Sequence, residues 1–380
     1  MKKSLFFLLL AAIAVIFGLT IYQNFPVYRS TYNPIFWQEK YENSQWVKGW
    51  EASQTIGDGE LYAYAGWQQI QGEDPTKINP EMPPLGKYFL GLSILLFGNP
   101  FVQSPIIGLL ILLVLYLLSK EILKDKTWAL LPVLTFVSSS LFLDELALSM
   151  LDLLFTLFIT LSFYFLIKGL KNPKYLSFSV LSLAAVASTK IYLVGFALTV
   201  VITFFLFFLW VFAKKRSFFW FVSFLPLFFL FYLAAYSVYF LSGHSLLEFK
   251  ELHFWTRHFA RVSVAGYPKG EIFRLLLWGR WKTWWEGSGI VAVSAWRPWW
   301  LVGFLSFFPS IILGLKHKNL SLLVASLWPI SLLSMFSFGV PYPRYLLPVL
   351  PPLFILLWYN LKLLLERWQS LKSIPRFFSS

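Results

Sequence analysis

Five carboxylates fall between Gly57 and Tyr88, in GDGELYAYAGWQQIQGEDPTKINPEMPPLGKY, within a chain that is 58% hydrophobic. Asp58 sits between Gly57 and Gly59, just ahead of a helical pattern from Glu60 to Gln71. There it either caps the helix by accepting first-turn N–H bonds, or acts as a general base on a turn whose glycines let a substrate come close. Glu81, before Pro83 and Pro84, suits a helix N-terminus or offers a second carboxylate to a divalent metal or to substrate hydroxyls. Asp144, Glu145 and Asp152 surround one turn in FLDELALSMLDLLFTLF. Capping accounts for part of that density; metal binding by Asp144 and Glu145, and substrate binding by Asp152, account for the rest. Three cations complete the set. Lys87 follows the Pro pair, Lys190 is the one charge between 175 and 213, and Arg344 lies in PYPRYLLPVLPP. Each has an ordinary use, as a snorkelling lysine, a turn marker or a headgroup anchor. Each also suits a phosphate, and a guanidinium suits it better than an ammonium. A carboxylate base beside fixed cations is the equipment for transferring a group away from an anionic leaving group onto a hydroxyl.

The elements that must hold these residues are membrane helices. The 380 residues include 41 Phe and 18 Trp, with mean hydropathy +0.65, and apolar runs near the ~20 residues that cross a bilayer recur along the chain. One membrane domain over residues 1–380 is expected. No Cys is present, which excludes thiol chemistry, disulfides and Cys-held metals. No internal repeat, P-loop, GxGxxG or HExxH occurs. Ten spans are expected, near 5–21, 101–119, 127–143, 151–167, 175–189, 192–213, 217–241, 299–315, 320–338 and 345–362. Two large loops remain, 24–98 and 242–298. In the first, Trp37 with Tyr41 and Trp46 with Trp50 have the spacing of short helices lying at the interface. The segment 85–97 is short for a span. If it lies on the outer surface, the basic clusters KEILKDK, KGLKNPK, KKR and KHK all face the cytoplasm, as the positive-inside rule requires. Both termini of this plasma-membrane protein are then cytoplasmic, and 15 of the 18 carboxylates face outward. The net charge of +14 reports orientation, so no nucleic-acid partner is implied. The second loop carries His244, His253, Arg257, His258 and Arg261, without a metal-ligand spacing. It also carries Trp281, Trp284, Trp285, Trp296, Trp299 and Trp300, expected as an interfacial belt.

Four features taken in order resemble the integral-membrane glycosyltransferases of the GT-C fold, close to protein O-mannosyltransferases and the lipid A aminoarabinose transferase. They are the Asp58 to Glu60 motif, NPEMPPLGKYFLGLSILLFG, the acidic turn with SMLDLLFTLF, and PRYLLPVLPP. The resemblance implies an all-α membrane enzyme that moves a sugar from a polyprenyl-phosphate donor to an acceptor at the extracytoplasmic face, with inversion. By that likeness Asp58 would be the base; Glu60, Lys87, Asp152, Lys190 and Arg344 are this chain's own candidates for binding substrate or phosphate. Glu81 matches a position that helps hold a metal in the aminoarabinose transferases. Met82 departs from that family, which has Lys there. Leu148 and Ser149 stand where the mannosyltransferases tend to have Arg, which shifts the leaving phosphate onto Lys190, Arg344 or loop arginines. The rival function is a lipid-linked-sugar flippase or transporter. Such proteins place charges near the midplane between inverted repeats, whereas these charges lie at span ends.

Overall fold

The computed structural model describes residues 2–283 and 289–372. The first helix, α1 (Lys2–Gln23), is apolar on every side and 22 residues long. At 1.5 Å per residue it is about 33 Å, enough for a ~30 Å hydrocarbon core. A cap of shorter helices follows: α2 (Phe25–Arg29), α3 (Pro34–Glu42), α4 (Gln45–Lys48), α5 (Asp58–Ile70) and α6 (Pro84–Phe97). The main bundle continues with α7 (Gln103–Leu123), α8 (Leu130–Val137), α9 (Ser140–Glu145), α10 (Asp152–Gly169), α11 (Lys174–Thr189), α12 (Tyr192–Ala213) and α13 (Ser217–Ala235). A second excursion holds α14 (Ser237–Leu241), α15 (Leu246–Ser263), α16 (Glu271–Trp278) and an antiparallel hairpin of β1 (Arg280–Lys282) and β2 (Ile290–Ala292). The chain returns through α17 (Pro298–Leu305), α18 (Phe307–Lys316), α19 (Leu320–Phe336) and α20 (Leu350–Lys372).

This is an all-α polytopic membrane protein. Helices occur at all ten expected positions, and six segments are long and apolar enough by themselves to cross: α1, α7, α10, α12, α13 and the pair α17 and α18. The run 127–143 breaks at Ser139, whose extended backbone separates α8 from α9. The centre of the bundle is α11, which buries Ser179, Ser182, Ala184, Ala185, Ala187 and Ser188. Small side chains let neighbouring helices approach where lipid gives no hydrophobic drive between them. Ser179 Oγ uses that closeness to donate to Ser162 O on α10 at 2.8 Å. In contrast, α12 and α13 expose Phe204, Phe208, Phe212, Phe219 and Phe229, as a lipid-facing surface does. At the lysine-rich end, Glu121 bonds Lys168 at 3.2 Å and Lys171 at 2.6 Å, tying α7 to the end of α10.

The cap rests on α6. Its 14 residues span only about 21 Å, in keeping with a helix on the membrane surface. One side exposes Leu92, Leu95 and Leu96; the other lies along α5. The two helices cross at Gly66 and Gly91, where a Cβ on either would strike the other's backbone. Gly91→Ala is therefore expected to destabilise the cap by about 1–3 kcal/mol through overpacking, measured as a lower unfolding midpoint in detergent. An unchanged midpoint would mean that the crossing has slack.

Candidate functional site

The cap and the bundle meet where five chain segments end. Asp58 is the first residue of α5, Asp152 the first of α10, and Lys190 the residue that closes α11. Arg344 lies in a 3₁₀ turn over Pro343–Leu346 leading to α20, and Glu145 ends α9. Arg344 joins the set. Its Nη2 donates to Asp58 Oδ2 at 2.5 Å, and its Nε lies 3.7 Å from Asp152 Oδ2. The other Asp152 oxygen accepts from Lys190 Nζ at 2.5 Å. Lys190 and Asp152 are 1% and 2% exposed, whereas Asp58 is 41% exposed. One end of this network is therefore sealed and the other meets solvent.

Aromatic rings fix the cations. Arg344 stacks over Tyr342, with Cζ 4.7 Å from the ring centre, and Lys190 Nζ lies 4.7 Å from that of Tyr345, geometries that favour a cation. Tyr342 in turn packs against Trp281 of β1 at 5.8 Å, so the hairpin braces the arginine from behind. Neither tyrosine is among the candidates that the sequence offers. The signal was the pattern YPRY itself, two rings flanking a lone arginine.

Several expected roles change. Asp58 does not cap α5, since the cap position is Gly57. The reciprocal capping contact comes from Glu60, whose Oε2 accepts from Gly57 N–H at 3.0 Å while Oε1 pairs with Lys40 at 2.7 Å. Glu60 thus braces the start of α5, and it is not among the residues that line the cavity. Lys87 is also displaced from its expected phosphate role. It is fully buried, and its ammonium donates to Asn79 O at 2.8 Å, holding the loop that carries Glu81. Glu81 accepts from the Asn79 side chain, and burial pushes its carboxyl above the ordinary range.

The expected metal ligands Glu81, Asp144 and Glu145 do not fit a metal. Among the described residues no three His, Asp or Glu side chains come together as a cage. Asp144 is exposed, while the next residue, Glu145, is 4% exposed with Oε2 unpartnered; adjacent helical positions point apart. The histidines scatter likewise. His253 meets Tyr232 at 2.5 Å, His244 meets Asp74 at 2.6 Å, and His258 is exposed elsewhere on α15. Among the described residues the tryptophans form no single belt. Trp281 and Trp300 are buried and Trp299 is exposed, and Trp284 and Trp285 lie outside the described residues.

The network opens onto a cavity of about 1120 Å³. Asp58, Asn79, Glu81, Lys190 and Arg344 line its polar end; Glu145 and Asp152 stand behind that wall. The remainder is largely apolar and runs between two helices, past Val194, Ala197 and Val201 of α12 and Leu327 and Ile330 of α19. The spacings of three and four keep these residues on one face of each helix. α15 contributes Thr256, Phe259 and Ala260 as a third wall.

His244 and Asp74 clasp the loop after α5 to the segment entering α15. Tyr239 stacks on the imidazole at 4.3 Å, and Glu248 lies 3.7 Å away. The bond to Asp74 raises the imidazole pKa above its ordinary value. Burial pushes the Asp74 carboxyl up, but His244 and Thr76 outweigh this and hold it low. A raised histidine gives its full contribution below about pH 6.5 and loses it as pH rises through the raised value. The lowered Asp74 contributes above its ordinary value of about 3.9 and loses that contribution only as pH falls through the depressed one. The stability difference between wild type and His244→Gln should therefore be largest near about pH 6 and shrink toward about pH 9, read from unfolding midpoints. A difference that stays flat over that window would exclude the imidazolium as the stabilising species.

The family model described as dolichyl-phosphate-mannose-protein mannosyltransferase matches residues 81–237. No curated protein sequence matches the chain. Among solved structures, the chain is similar to ArnT from Cupriavidus metallidurans bound to undecaprenyl phosphate, at 16% identity and a TM-score of 0.62, covering 96% of this chain and 61% of that one. It is also similar to the oligosaccharyltransferase AglB from Archaeoglobus fulgidus in complex with an inhibitory peptide and a dolichol-phosphate, at 12% identity and a TM-score of 0.59, covering 98% and 52%. The chain thus spans between half and two thirds of the length of these neighbours, and the likeness at such identity is one of fold.

Proposed function

We propose that this polytopic membrane protein of the GT-C fold is a glycosyltransferase that moves a sugar from a polyprenyl-phosphate donor to a hydroxyl acceptor. One observation carries the reading: a single cavity joins a charged end, with Asp58, Lys190 and Arg344, to an apolar slot between α12 and α19. A lipid phosphate is a molecule of that shape and polarity. Its chain lies in the slot and its phosphate reaches Lys190 and Arg344. The polyprenyl-phosphate ligands of the two neighbours support the same reading.

In the proposed step, the acceptor hydroxyl gives its proton to Asp58. Its oxygen forms a bond to the anomeric carbon from the face opposite the phosphate. The bond from that carbon to the phosphate oxygen breaks, and the electron pair leaves with polyprenyl phosphate, whose charge falls beside Arg344 and Lys190. Inversion follows from attack on the opposite face. Arg344 takes two roles, since it orients Asp58 through Oδ2, leaving Oδ1 to the acceptor, and stabilises the leaving group. Asp152 keeps Lys190 and Arg344 in place. The site is proposed to face outward, because nucleotide-sugar donors are cytoplasmic and the lysine-rich end of the bundle suits the cytoplasmic side.

Polyprenyl phosphate is expected to bind the purified protein in vesicles. Val201→Trp and Ile330→Trp, which fill the slot, should abolish that binding while leaving the fold intact by circular dichroism. Equal binding to the filled variants would place the lipid elsewhere and remove the main support for a lipid-linked donor.

A further inference from the structure

Three groups that line the cavity take no part in the proposed step: the Trp46 ring, the Tyr62 hydroxyl and Glu81. Tyr62 stands one turn after Asp58 on α5, so both side chains leave the same face of that helix. Its residue is 3% exposed and packs with Leu90, Leu151 and Met82. Buried tyrosines usually find a partner for the hydroxyl. Among the described residues this hydroxyl has none, and it is open to the cavity rather than enclosed. Glu81 precedes Met82 and accepts from the Asn79 side chain through Oε1, which leaves Oε2 for a ligand. Trp46 is held near Asp58 by its neighbour. The Gln45 side chain donates to Ile56 O at 2.8 Å and accepts from Ile56 N–H at 3.0 Å, which ties α4 to the chain two residues ahead of Asp58. Trp46 itself stays 42% exposed.

We infer that these groups form the subsite for the transferred sugar: Trp46 stacks on the C–H face of the sugar ring, Tyr62 donates to one hydroxyl and Glu81 accepts from another. Their chemistry assigns them to the sugar and not to the phosphate. A carboxylate repels a phosphate oxygen, which has no proton to give it, whereas a sugar hydroxyl donates as well as accepts. Tyr62 supplies the complementary donor, and the negative face of the indole attracts the polarised C–H groups of a sugar ring. The subsite rests on the lipid-linked donor proposed above and adds a requirement to it. The sugar must carry two free hydroxyls, one within reach of each side chain, and an apolar face.

The full chain in phosphatidylcholine nanodiscs is titrated with polyprenyl phosphate, either bare or carrying glucose, mannose, galactose or arabinose. The wild type should bind at least one sugar-bearing lipid more tightly than the bare one. Y62F and E81Q should each weaken that binding roughly three- to tenfold, through loss of a hydrogen bond or of its charge. W46A should weaken it by about tenfold, while W46F keeps most of it. Affinity for bare polyprenyl phosphate should be the same in all four variants. An equal loss with bare and sugar-bearing lipid would assign these residues to the lipid site and overturn the subsite. Variants that bind the sugar-bearing lipid as the wild type does would overturn it too, and so would a wild type that gains nothing from any sugar. Failure of bare polyprenyl phosphate to bind the wild type would instead overturn the donor reading, and the subsite with it.

Discussion

Asp58→Asn is expected to lower sugar transfer by roughly 10²–10⁴-fold, the usual contribution of a general base, while the lipid donor stays bound. The substitution is nearly isosteric, and the amide oxygen still accepts a bond from Arg344, so the charged wall of the cavity keeps its shape. What is lost is the capacity to take a proton. Transfer of label from a polyprenyl-phosphate sugar, with membranes of a deletion strain supplying the acceptor, measures the rate; binding of polyprenyl phosphate to the same preparation measures the donor site. A wild-type rate would dismiss Asp58 as the base. Loss of rate together with lipid binding would show that the carboxylate acts mainly by holding Arg344.

Removing Asp152 should have the largest effect on stability. Lys190 Nζ is 2.5 Å from Asp152 Oδ1, and neither side chain is more than 2% exposed. Asp152→Ala leaves a buried ammonium without its bonded partner, with the Tyr345 ring, the like-charged Arg344 and the buried Glu145 as its remaining neighbours. A buried charge stripped of its partner costs about 3–5 kcal/mol. Replacing both, Asp152→Leu with Lys190→Met, should recover most of that stability, because a buried pair and an apolar pair of similar size differ little. The double variant should still fail in transfer, since it lacks the lysine that meets the phosphate. Unfolding midpoints of the three proteins in one detergent decide the matter. A single variant as stable as the double one would mean that water or another group compensates Lys190.

The two effects separate because the network is asymmetric. Asp58, part exposed in the cavity, touches the acceptor in the proposed step, whereas Asp152, sealed behind it, positions both cations. Arg344 links the two carboxylates, and a guanidinium does so through separate nitrogens. An ammonium has no comparable span.

Membrane class and helix positions are legible in residue order alone, because each span is a local apolar run whose length matches the bilayer. So are the acidic residues, since a charge within such composition stands out against its neighbours. Tertiary structure decided which of those charges meet. Asp58 and Arg344 are 286 positions apart, and no local pattern encodes that pairing. Glu60 and Lys87 show the converse. Both looked like site residues from their motif, yet one braces the start of α5 and the other the loop beneath Glu81. Asp144 and Glu145 are adjacent in sequence but differ in burial because a helix turns about 100° per residue. Hydropathy places a residue at a depth; only the packing of several helix ends selects its partner, since the Coulomb energy that joins two charges depends on their distance in space and on the protein that excludes water around them.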